Sequence, residues 1–269
     1  MNSKFRKQPV KHKVQGQPSW RMVSKDVEAF VTEIGGHLGP VTFERLGRKI
    51  RPFSVAPWTA ERFNPPLQPI IQVLRGDFFC LPFGGNGTPY RGEQHSIHGE
   101  TANAKWAFES LEMVEGRMCL HLSLKTKVRA GYVDKRIYLV DGQNVVYSQH
   151  IISGMSGPMN PGHHAMLKFP DTPGSGLLST SRFVYAQVLP QVFEEPAKGG
   201  YSALRLGAEF TSLEKVPMLN GETADLSRFP ARRGFEDLVM LVSEPNLLFA
   251  WSAVASYSTA RGPPKVRQP

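Results

Sequence analysis

The feature that most constrains this chain is a hydrophobic period of two, punctuated along its length by glycine and proline. In "RMCLHLSLKTKV" Met118, Leu120, Leu122 and Leu124 alternate with polar or smaller neighbours, the pattern of a strand with one buried face. "KRIYLVDGQNVVYSQHII" reads as strand, Asp-Gly turn, strand, and so as a hairpin. Earlier, "AFVTEIGGHLGPVTFE" gives two short β runs split at Gly35 and Gly36, and "GRKIRPFSVAPW" follows with Lys49, Arg51 and Ser54 interrupting its apolar positions. "YSALRLGAEF" and "GFEDLVMLVSEPNLLFAWSAVA" are again short β-rich runs bounded by Gly, Pro and Asn. No segment carries a helical stripe over three turns. With 25 Gly and 22 Pro among 269 residues, the pattern predicts an all-β fold, a large antiparallel β-sandwich built as one domain.

Charge matters through its distribution. The formal net charge is +9, yet residues 1–25 hold seven Lys/Arg and no acid, and the tail from Ser256 holds Arg261, Lys265 and Arg267. The remaining 22 basic residues meet 23 acidic ones, so the body is nearly neutral and specific nucleic-acid binding is not expected. This divides the chain into a basic disordered N-terminal extension over 1–25, a β-sandwich domain over 26–255 and a basic Pro-rich tail over 256–269. The first twenty residues lack the apolar stretch of a secretory signal, and no run of eighteen apolar residues is present, so no membrane partner is expected. Cys80 and Cys119 sit in apolar contexts and read as buried free thiols, pointing to a reducing cytoplasm.

Two polar, Gly/Pro-rich connections hold four of the eight histidines: "FGGNGTPYRGEQHSIHGETANAKW" with His95 and His98, and "SGMSGPMNPGHHAMLKFP" with His163 and His164. Loops on a rigid β scaffold are where binding side chains concentrate. A shared metal is not expected, because adjacent histidines on a strand point to opposite faces and cysteine or carboxylate partners at zinc spacing are lacking.

The succession "DFFCLPFGG", "HGETANAKW", a β-meander, "GPMNPGHHAMLKFP" and "GFEDLVML" resembles the galactose mutarotase-like superfamily, the aldose 1-epimerases and their divergent relatives, over about residues 27–255. The resemblance implies a β-supersandwich, short of the family's last strands because the relatives continue beyond "LLFAWSAVA". It also implies a small-molecule sugar as partner, with anomers interconverted by acid/base ring opening and no cofactor. Histidine suits such proton transfer because its ordinary pKa lies near neutrality.

By resemblance His164 takes the place of the family's acid and His98 that of the histidine holding the ring oxygen. Arg75, Asn103, His163, Glu236 and Asp237 stand as substrate-binding candidates, with one of Glu236 and Asp237 facing the sugar. Trp106 is expected under the loop and His95 in solvent. The family's glutamate base has no counterpart; Glu93, Glu100 and Glu195 are the carboxylates open to that role. Two functions therefore stand side by side: a mutarotase, or a non-catalytic carbohydrate-binding domain lacking the base.

Overall fold

The computed structural model describes residues 9–170, 172–192, 197, 202–229 and 237–256. The strands are β1 His12–Val14, β2 Gln17–Val23, β3 Val27–Thr32, β4 Leu38–Arg45, β5 Arg48–Ile50, β6 Asp77–Cys80, β7 Ala107–Val114, β8 Arg117–Thr126, β9 Gly131–Leu139, β10 Tyr147–Ser153 and β11 Gly162–Ala165. From Gly176 onward come β12 Gly176–Thr180, β13 Phe183–Val188, β14 Glu209–Phe210, β15 Val216–Pro217, β16 Thr223–Ala224, β17 Arg228–Phe229, β18 Val239–Ser243 and β19 Ser252–Ser256. All strand ladders are antiparallel. The helices named among the described residues are short, α1 Pro69–Val73, α2 Gly99–Asn103 and a 3₁₀ turn at Pro57–Ala60, in keeping with the missing helical periodicity.

The chain divides at Lys168/Phe169 into two compact units, where the sequence suggested a single sandwich over 26–255. In the first, a seven-stranded sheet in the order β1-β2-β3-β4-β6-β11, with β5 on β4, faces a four-stranded sheet in the order β10-β9-β8-β7. Their inward residues form one core: Trp20, Met22 and Val31 from the larger sheet meet Leu120, Leu122, Val133 and Ile137 from the smaller. The second unit has two three-stranded sheets, β17-β12-β19 and β14-β13-β18, and the ribbon β15-β16, around Ala186, Val188, Leu204, Phe210 and Val216.

Within the stretch 1–25 expected to be a disordered extension, residues 12–14 and 17–23 form β1 and β2, and residues 1–8 lie outside the described residues. Trp20 and Met22 are buried while Arg21 and Val23 face out, so the basic Arg21 occupies the wet face of a paired strand. The expected hairpin is present: β9 and β10 pair through all seven residues of β10 across the turn at Asp141 and Gly142. Cys80 and Cys119 are buried and unbridged, and burial pushes the Cys80 thiol up to about 12.

Candidate functional site

The site is built on the β6–β11 ladder, where His164 pairs with Phe78 and His163 with Phe79. Alternation sends neighbouring side chains to opposite faces. On one face the His164 ring stacks on Phe78 with centroids 4.6 Å apart, and Phe78 also stacks with His37 at 4.2 Å. On the other, His163 donates through Nδ1 to the Asp77 carboxylate at 2.7 Å and lies 5.1 Å from the His150 ring, itself stacked on Phe79.

His98 comes to His164 from the segment that follows β6. It adopts a left-handed conformation (φ 61°, ψ 18°) just before α2, which costs a residue with a Cβ about 1 kcal/mol. Its amide donates to the Gly84 carbonyl at 2.7 Å, and the Gly84 amide donates to its Nδ1 at 3.1 Å. The second bond uses the Nδ1 lone pair, so the neutral ring carries its proton on Nε2. Gly99 follows with φ +70°, and a Cβ there would meet the Leu81 carbonyl oxygen at 2.0 Å, so glycine alone permits this approach. The His98 and His164 rings end 5.0 Å apart, edge to face. Burial, then the neighbouring His164, pushes His98 down to about 4, and burial also lowers His164, so both imidazoles are neutral at pH 7.

Phe83 touches both rings, at 5.0 Å from His98 and 5.9 Å from His164, and also lines a polar cleft of about 510 Å³. Within it Glu93 receives three hydrogen bonds from Arg129, at 2.7 to 3.1 Å, and lies 3.0 Å from His95 Nε2. The bonds from Arg129, then that from His95, hold the Glu93 carboxyl at about 2. Tyr90, Asn86 and Asn160 complete the wall, with Asn160 Nδ2 donating to the Phe83 carbonyl. The expectation of a solvated His95 is corrected: its side chain is 10% exposed because Glu93 and Asn86 hold it in the cleft wall.

The remaining sequence candidates fall elsewhere. Arg75 is fully buried, its guanidinium donating to the carbonyls of Val73, Val14 and Gln15, so it anchors the chain leading into β2. Asn103 ties the His98 loop together, donating to Ile97 and Gly99 carbonyls and accepting from the Ile70 amide. His163 faces away from His164, so the two cannot share a ligand. Asp237 belongs to the second unit, where its carboxylate accepts from the amides of Ala203 and Leu204. Glu236 and Glu195 lie outside the described residues. Glu100 caps the β8–β9 turn by accepting from the Lys127 and Val128 amides. Trp106 is buried with its indole N–H on the Thr101 carbonyl, under the loop as expected. His37, Phe78 and Arg129 were not marked in the sequence; only the "GGH" at the β3–β4 turn carried a local sign, since Gly35 and Gly36 adopt positive φ beside the His37 ring.

Among the described residues no group of three or more His, Cys, Asp and Glu is placed to hold a metal ion, and no helix is long and apolar enough to cross a membrane. The fold and site together define an all-β protein with a paired-histidine face beside a polar cleft. No family model matches the chain, and no curated protein does. Among solved structures it is similar to the candidate mutarotase YeaD of Salmonella typhimurium, at 14% identity over 66% of this chain and 57% of that one, with a TM-score of 0.49. It is also similar to the Slr1438 protein of Synechocystis sp. PCC 6803, at 16% identity over 70% of this chain and 64% of that one, with a TM-score of 0.46. The chain thus spans less than two thirds of the length of either structure.

Proposed function

We propose that this protein binds an aldose against His98 and His164 and interconverts its anomers by proton transfer to and from the opening ring. The observation that carries the reading is the convergence of two imidazoles, 5.0 Å apart and from separate segments, beside a polar cleft of about 510 Å³. Mutarotation needs a donor at the ring oxygen and an acceptor at the anomeric hydroxyl. Because both rings are neutral, His98 hydrogen-bonds the ring oxygen through Nε2–H, with its tautomer fixed by Gly84, and the proton that the ring oxygen gains is the one His164 takes from the anomeric hydroxyl and then returns. His164 acts as the acceptor, a role its lowered pKa suits better than the acid role implied by resemblance. Two unbridged buried thiols support a cytoplasmic setting.

One observation favours the non-catalytic reading. Glu93, the carboxylate in the cleft, is held at about 2, where it accepts hydrogen bonds from sugar hydroxyls well and protons poorly. Polarimetry of α-glucose and α-galactose with wild type and His164→Ala, alongside saturation-transfer NMR on the same samples, separates the two. Acceleration that disappears in the variant establishes the isomerase. Sugar contact without acceleration establishes the binding domain, and neither effect rejects both.

A further inference from the structure

We propose that the outward face of the β8–β9–β10 ladder is a second carbohydrate site, one that takes a neutral oligosaccharide. A groove of about 1120 Å³ runs there, away from the core side on which Ile137 and Leu139 are buried. Tyr147 on β10 stands directly across from Tyr138 on β9, and the Arg117 guanidinium lies 5.2 Å from the Tyr138 ring centroid. From Arg117 on β8 to Gln149 on β10 the groove crosses two strand spacings, about 10 Å, which exceeds one hexose ring and suits a chain of them.

The side chains match that ligand in kind. One face of a pyranose presents C–H groups that pack on an aromatic ring, and Tyr147 is 47% exposed on an edge strand, open to such stacking. Vicinal hydroxyls pair in twos with planar amides, carboxylates and guanidinium groups. Gln143 accepts from the Tyr147 hydroxyl through Oε1, which leaves its NH₂ donors available. Gln149 lines the same wall.

Charge decides the class. The two ionised residues lining the groove, Glu115 and Arg117, are paired with each other across the β7–β8 turn, and Arg136, outward on β9 opposite Gln149, stands beside it. A nucleic acid or a sulfated glycan, which needs a row of cations, would meet only Arg136 beside this lining, despite the +9 of the whole chain.

The site is independent of His98 and His164, and its test is arranged accordingly. Calorimetric titration uses maltohexaose, cellohexaose and xylohexaose, with a heparin-derived hexasaccharide as charged control. At least one neutral hexasaccharide binds saturably, with an affinity that added salt leaves unchanged. Tyr147→Ala and Tyr138→Ala each weaken it by about tenfold, the usual loss for an aromatic anchor. Gln149→Ala weakens it less, and His164→Ala binds as wild type does, whatever polarimetry shows. The proposal is overturned by absence of saturable binding to all three neutral chains, by unchanged affinity in a Tyr147→Ala protein with wild-type circular dichroism, or by salt-sensitive preference for the heparin fragment.

Discussion

Acidification places a measurable load on His37. Its ring is fully buried against Phe78, Nε2 donates to the Ala102 carbonyl at 3.1 Å, and Nδ1 is buried with no partner among the described residues. Protonation would put an uncompensated charge there, facing Lys135, Arg75 and His164, and burial above all lowers the pKa from 6.5 to about 3. The unfolded chain therefore binds a proton that the folded one refuses, so stability is full above pH 6.5 and falls as pH drops from there toward 3. Each pH unit inside that window costs about 1.4 kcal/mol, so the loss at pH 5 is about 2 kcal/mol from this one residue.

His37→Gln keeps an amide donor for Ala102 and does not titrate. In a Trp251→Phe background the remaining tryptophans, Trp20, Trp58 and Trp106, all report on the first unit during urea unfolding. Wild type is the more stable at pH 7.5, where its ring stacking is intact. By pH 5 its advantage over His37→Gln shrinks by about 2 kcal/mol, while titration of His98 and His150 is common to both proteins. An advantage that stays constant between the two pH values would refute the assignment of a buried, neutral imidazole at this position.

Three further outcomes follow from the same geometry. Mutarotation with His164 as proton acceptor is full at pH 7 and falls on acidification at a pH below the ordinary imidazole value, because burial lowers the His164 pKa, whereas a rate that climbs on acidification would restore the acid role to His164. His150 has both ring nitrogens buried without partners among the described residues and stacks on Phe79, so His150→Phe raises the unfolding free energy by about 1 kcal/mol; a loss of stability would reveal a partner for the ring. Arg75→Met strands the Val14, Gln15 and Val73 carbonyls and destabilises the first unit by about 3 kcal/mol, with sugar affinity unchanged at low temperature if the guanidinium serves only the backbone.

Short-range order was legible in the residues. Alternation at Met118 to Leu124 marked β8, and Asp141-Gly142 marked the hairpin, because each signal sits within one element. Residues 12–23 were misjudged because the seven Lys/Arg of residues 1–25 dominate the composition of the whole stretch, while the decisive Trp20 and Met22 alternate with exposed positions on β2. The histidine pair was legible as residue types in order, although its register on Phe78 was not. Partners distant in sequence were beyond a linear reading: Arg129 reaches Glu93 across 36 residues, and His37 reaches Ala102 across 65. Such contacts are fixed by sheet stacking, which no window of local periodicity contains.

Strand β11 is short, lies at the edge of its sheet and is held through four residue pairs, conditions under which strand register is weakly specified. A one-residue slip would turn every side chain to the opposite face. Because two histidines stand side by side, a slip in one direction exchanges one imidazole for another above Phe78 instead of removing it. The doubled histidine thus gives the fold tolerance to a single inserted residue in the loop before Gly162: an imidazole stays above Phe78 after a shift that would remove it from a strand carrying only one.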